Sequence, residues 1–146
     1  MLKKLNVFSS LFLLILVSCQ EECCDIAPKP QSNSINKILP LGASRVEGAR
    51  PEYESYRYDL WKKLKENNFI FDFIGTQSDD SFYPQFNDMS FDSDHEGRGG
   101  WTSADILECL DSWLSVTGSP DIVLFSSPAG NDALEGLSYT QAVSNI

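Results

Sequence analysis

The sequence has one histidine, His95, in 146 residues. Chemistry that needs an imidazole base therefore has a single residue to draw on. The four cysteines, Cys19, Cys23, Cys24 and Cys109, never stand as C-x-x-C, so the usual zinc-ligand spacing is absent. Basic residues are scarce: 11 Lys and Arg against 21 Asp and Glu give a net charge of −10. Such a surface repels nucleic acid, and no basic stripe offsets it. The same balance argues against an amphipathic helix lying on a membrane. Long apolar runs are missing too. The one run, Val7 to Val17, is interrupted by Ser9 and Ser10 and preceded by Lys3 and Lys4. It is too short for a membrane span and reads as an export signal over residues 1–18.

What is present begins at the end of that run. Leu16-Val17-Ser18-Cys19 resembles the lipobox of bacterial lipoproteins, in which the cysteine is lipidated and becomes the first residue. The alternative is an ordinary secretory signal with a chance cysteine. Maturation at Cys19 leaves 128 residues and a net charge of −12, enough chain for one domain. Membrane attachment would then be through lipid alone, at an exported site such as the outer membrane or cell surface. Residues 19–36 carry Pro28, Pro30 and several Ser and Asn, and read as a flexible tether. Glu21-Glu22 fits either a surface-export signal or a polar linker. Cys23 and Cys24 lie in the tether. A disulfide from Cys109 to the tether is open, and the preferred reading of Cys109 is a small buried apolar residue.

From residue 35 onward the pattern alternates strand and helix. Ile35 to Leu41 reads as a strand covered on both faces, although Pro40 points to an edge or a strand end. Tyr53 to Asn67 has helical spacing at Tyr53, Tyr56, Leu60, Trp61 and Leu64. Phe69 to Ile74 is aromatic and β-branched and reads as a second strand. Thr76 to Arg98 is a long acidic loop, of the kind that is often functional, without the alternating ligands and glycine turn of a calcium site. Thr102-Ser103-Ala104-Asp105 resembles a capping box opening a helix with Ile106, Leu107, Leu110, Trp113 and Leu114 inside. Asp121 to Ser126 is a third strand, and Ser138 begins another helix. The order βαβα(βα) predicts an α/β fold with a parallel sheet, whose sites form beyond the carboxyl ends of the strands.

Three segments fall at that edge: Gly42-Ala43-Ser44, Gly99-Gly100-Trp101-Thr102 and Gly130-Asn131-Asp132. They supply a hydroxyl, glycine amides and a side-chain amide. Acyl transfer needs a nucleophile and donors for a developing oxyanion. Ser44 could attack, with its own N–H, that of Gly100 and the Asn131 amide as donors. Singly, each residue is as readily a turn, cap or loop residue.

Together these segments resemble the SGNH hydrolases, also called the GDSL esterase/lipase family, from Lys37 to Ile146. Leu39 to Gly48 (LPLGASRVEG) is similar to the nucleophile block, Asp94 to Thr102 (DHEGRGGWT) to the block with the oxyanion glycine, and Gly130-Asn131-Asp132 to the asparagine block. Ser55 to Trp61 and Phe71 to Gly75 resemble the flanking helix and strand. The His-Glu-Gly and Tyr-Arg-Tyr wording is similar to the carbohydrate-esterase branch that removes acetyl groups from plant polysaccharides. The second glycine of G-x-S-x-G is absent, since Val46 stands there, so this is not the α/β-hydrolase elbow.

The resemblance implies a three-layer, flavodoxin-like fold and hydrolysis of acetyl or short acyl esters, with no cofactor and no metal. It maps the catalytic roles to Ser44, Gly100 and Asn131, and the partner to an acylated carbohydrate or other small ester. Two departures stand out. Ala43 replaces the aspartate before the serine, and the family's last block, Asp-x-x-His, has no counterpart in the sequence. The expectation is therefore the amino-terminal part of an esterase domain over residues 37–146. Its hydrolysis would be impaired, and its last strand and one sheet edge exposed. His95 is expected in a loop or as a substrate contact, like Trp101. The rival readings are a non-catalytic surface protein that binds glycans, and a defunct gene fragment.

Overall fold

The computed structural model describes residues 26–146. The export signal, Cys19, Cys23 and Cys24 lie outside the described residues. The elements run β1 (Lys37–Gly42), α1 (Ser44–Glu47), α2 (Arg57–Glu66), β2 (Asp72–Phe73), β3 (Glu96–Gly97), α3 (Ser103–Thr117), β4 (Ile122–Ser126), α4 (Ala129–Leu134) and α5 (Tyr139–Ser144).

β1 is the centre of a parallel sheet. β4 pairs along one side of it from Ile38 to Gly42. On the other side β2 pairs with Lys37 and Ile38, and β3 pairs with Leu41 and Gly42. Pro40 thus lies in a central strand, not at the expected edge or end. The alternation of a strand turns Ile38, Pro40 and Gly42 toward the β2 and β3 side. Ile38 accepts there from Ile74 N–H, and Gly42 from Arg98 N–H. Pro40, which has no N–H to give, falls in the interval where β2 has ended and β3 has not begun.

Both faces of the sheet are covered, which makes three layers. Leu39 and Leu41 pack with Ile74, Ile106, Cys109 and Trp113 under α3. Ile38 packs with Tyr58, Trp61, Phe71 and Phe73 under α2. The parallel α/β architecture expected from the alternating pattern is the one observed. α3 starts as the capping box foretold: Thr102 Oγ1 accepts from Asp105 N–H, and Asp105 takes the Thr102 N–H.

Several expectations need correction. The helix expected from Tyr53 begins at Arg57, and the strand expected from Phe69 shrinks to two residues, with Phe69 and Ile70 exposed. Leu107 is turned out of the α3 stripe and Cys109 takes an inward place. Cys109 is disulfide-bonded, so it is more than a small apolar filler. The segment from residue 26 is laid on the domain. Ile26 packs against the α3 core, Lys29 Nζ donates to Gly75 O at 3.2 Å and pairs with Asp94, and Gln31 Nε2 donates to Ser115 O at 3.3 Å. No helix among the described residues is long and apolar enough to cross a membrane.

β4 differs from the rest. Ile122, Val123 and Phe125 are 37–48% exposed, and no described strand pairs with its outer side. An apolar cavity of 320 Å³ opens between its face and α3.

Candidate active site

Ser44 is placed by the abrupt end of β1. Gly42 has φ +154°, and an added Cβ would stand 2.5 Å from Ser126 O and 2.8 Å from Val46 Cγ2. Only glycine fits that corner. The chain then turns through Ala43, and Ser44 is the first residue of α1, so its N–H has no acceptor within the helix. The Ser44 hydroxyl is half-buried and hydrogen-bonds to none of the described residues.

The far end of α1 is clamped. Arg57, wholly buried, donates through Nε to Val46 O at 2.7 Å and through Nη2 to Glu47 O at 2.9 Å. Nη1 donates to Ser93 O at 2.7 Å, and Asp79 pairs with Nη2 at 3.2 Å. Burial pulls the Arg57 pKa down, and Asp79 counters it. A planar fork with several donors suits this task, since a cation at a helix carboxyl end also meets the dipole favourably. Arg57 lies on the same helical face as Trp61 and Leu64, a polar residue in an apolar stripe. That signal marks it as a partnered interior group.

Asn131 is not in a loop, as its Gly-Asn-Asp setting suggests, but in α4. Its Nδ2 donates to Trp101 O at 2.7 Å, which leaves the second amide hydrogen free. Asp132 beside it is buried and accepts from Ser103 N–H at 2.6 Å, tying α4 to the first turn of α3. The result is a cavity of 420 Å³ at the carboxyl ends of β1 and β4. It is lined by Ser44, Arg45 and residues 126–131. Two of the three site residues, Ser44 and Asn131, therefore face one space.

Gly100 does not line that cavity. It is the third residue of a turn closed by Trp101 N–H to Arg98 O at 3.3 Å, and its φ of +83° is what calls for glycine. A Cβ there would meet nothing within 4 Å. The neighbouring Trp101 carbonyl connects this turn to Asn131. The half-buried Trp101 ring lies 5.7 Å from the Trp113 ring, with Arg98 over it at 5.1 Å.

His95 is an interior residue and not a substrate contact. It is 3% exposed, and its Nδ1 accepts from Gly97 N–H at 2.8 Å. Burial, aided by the Arg57 charge, pulls its pKa down to about 3, so the ring is neutral. The loop acids also act internally. Asp79 takes Arg57, Asp92 accepts from Phe73 N–H at 2.7 Å, and Glu96 accepts from Thr76 N–H and pairs with Arg98 at 3.3 Å. Among the described residues no group of three or more His, Cys, Asp or Glu side chains is placed to hold a metal ion.

No protein-family model matches the sequence, and no curated protein does. Solved structures do match. An acetyl esterase in a serine-to-alanine variant with acetate bound aligns over 76% of this chain at 26% identity and a TM-score of 0.63. A carbohydrate esterase family 3 protein from Talaromyces cellulolyticus gives the same values. Over that span the chain shares the fold of these esterases. A family 3 carbohydrate esterase from Clostridium thermocellum aligns over 75% of the chain at 32% identity and a TM-score of 0.57. The chain spans about half the length of these esterases, 51–52% of each.

Proposed function

We propose that the cavity shared by Ser44 and Asn131 hydrolyses acetyl or short acyl esters, with carbohydrate as the alcohol. The observation that carries this reading is the convergence of a free serine hydroxyl and a side-chain amide held by Trp101 O at one sheet edge. The similarity to acetyl and carbohydrate esterases supports it. Ser44 Oγ would bond to the acyl carbon, its proton passing to a base, and the alcohol would leave with a proton. Water then cleaves the acyl-serine. Ser44 N–H and Asn131 Nδ2 would hold the oxyanion in that cavity.

The base is the open part. His95 is the sole histidine, and it is buried, neutral and already accepting a hydrogen bond. The 146-residue chain is therefore proposed to be slow by itself and to respond to an added base. Hydrolysis of p-nitrophenyl acetate with and without imidazole tests this, with Ser44→Ala subtracted as background. We expect a Ser44-dependent rate only when imidazole is present, lowered about 10²-fold or more in Asn131→Ala. Equal rates in wild type and Ser44→Ala with imidazole would overturn the assignment. The interior position of His95, 3% exposed with its Nδ1 accepting from Gly97 N–H, favours a second reading, a surface protein that binds glycans in the same cleft. Export and lipid attachment at Cys19 belong to this proposal, and incorporation of labelled palmitate, lost in Cys19→Ala, checks them.

A further inference from the structure

Cys109 lies in the core from the middle of α3, 2% exposed, and it is disulfide-bonded. The other cysteines of the sequence are Cys19, Cys23 and Cys24, and all of them precede Ile26. Ile26 packs against the cluster that contains Cys109. A disulfide needs its two Cα atoms within about 7 Å of each other. Chain geometry keeps the Cα of Cys24 within about 8 Å of Ile26 and that of Cys23 within about 11 Å, while Cys19 stands seven residues away. We infer that the Cys23–Cys24 pair supplies the partner of Cys109, and that this bond is a redox latch on the amino-terminal strap. Closed, it holds residues 26–31 on the domain. Open, it lets them go.

The other fastenings of the strap explain why the bond decides its position. Lys29 is partly exposed where it pairs with Asp94 and donates to Gly75 O at 3.2 Å. Gln31 Nε2 donates to Ser115 O at 3.3 Å in an exposed position. Ion pairs and hydrogen bonds open to water contribute little each. Residues 26–31 form no strand or helix, so no backbone ladder holds them. Ile26 is only half-buried. A cross-link at the adjoining cysteine pair removes most of the freedom that the strap would gain by leaving.

Closing the latch is an oxidation. Two thiols lose two protons and two electrons to a disulfide oxidant, which leaves as two thiols. A dithiol reductant reverses the step. Such bonds persist in oxidising compartments and are reduced by cytosolic thiol pools. A chain carrying the export pattern of residues 1–18 would therefore keep its strap loose before export and fasten it afterwards. The latch does not depend on the esterase reading of Ser44.

Peptide mapping of the folded, unreduced 146-residue chain tests the pairing. Trypsin leaves residues 5–37 and 99–146 as single peptides. We expect them as one linked mass that separates on reduction. The link should persist in Cys19→Ser and vanish in the double variant Cys23→Ser, Cys24→Ser, which leaves the core untouched. NMR relaxation tests the latch. Amide order parameters at Ala27, Lys29 and Gln31 should fall from about 0.8 to below about 0.6 in the double variant, with those of β1 unchanged. Wild type refolded in dithiothreitol should show the same fall. A Cys109 thiol open to alkylation in the unreduced chain, a link lost in Cys19→Ser, or unchanged order at residues 27–31 in the double variant would each overturn the inference.

Discussion

The two sides of β1 are built differently. On the side of β2 and β3, buried charges hold the chain: Arg57 with Asp79, Arg98 with Glu96, and Asp92 on the Phe73 amide. Phe73 and Trp61 there are at most 1% exposed. On the β4 side one strand pairs fully with β1, yet its side chains are 37–48% exposed at three positions and its outer rim has no described partner. Ser44 belongs to the first side through the Arg57 clamp on α1. Asn131 belongs to the second through α4. The Trp101 carbonyl is the bridge between them. With the proposed nucleophile on the firm side and the proposed oxyanion donor on the looser side, the site's geometry depends on how well the two halves stay in register.

The largest way to break this contrast is Arg57→Ala. It leaves Val46 O, Glu47 O, Ser93 O and Asp79 without their partner in the interior, and removal of one member of a buried pair costs about 3–5 kcal/mol. Urea unfolding should show that loss, and a loss below about 1 kcal/mol would mean that water reaches the clamp. A matched pair of truncations sharpens the contrast next. Phe73→Ala, on the closed side, should cost about 3 kcal/mol or more, and Phe125→Ala, on β4, about 1 kcal/mol or less. Similar values from denaturant midpoints would show that β4 is covered in solution.

The smallest effect concerns pH. Burial holds the Asp92 carboxyl up at about 6, against about 4 in an unfolded chain. A raised carboxyl pKa means that the folded state binds the proton more tightly. Asp92 therefore favours folding at low pH, and that contribution is lost as pH rises from 4 through 6. His95 works in the opposite sense: its folded pKa of about 3 gives stability that is full above 6.5 and lost as pH falls toward 3. Asp92→Asn keeps an acceptor for Phe73 N–H and removes the first of these opposing effects. Its stability should exceed wild type by about 1 kcal/mol at pH 7.5 and match it at pH 4. Thermal scans across this range check the sign.

The elements legible in the sequence were those with local causes. The Thr102–Asp105 box fixes the start of α3, and the apolar runs at β1 and β4 need no distant partner to be seen. Ser44 and Asn131 meet because topology places both strand ends together, which the alternating pattern already implies. Other features depended on tertiary partners. Pro40 is tolerated in a central strand because two short strands share one flank and leave a gap. Asn131 is helical because Asp132 has Ser103 N–H to hold. His95 is interior because the acidic loop folds back over it and pairs Gln77 with it. The Tyr53 ring is displayed by a turn between Ala49 and Tyr53, and helical periodicity mistook it for a core residue.

The strapping of residues 26–31 onto the domain has a mechanical consequence. Ile26, Lys29 and Gln31 are fastened to the α3 side and to Asp94. These fastenings make the amino-terminal segment part of the folded body, so a pull on it would load α3, Gly75 and the loop that carries Asp94 before it reached the centre of the sheet.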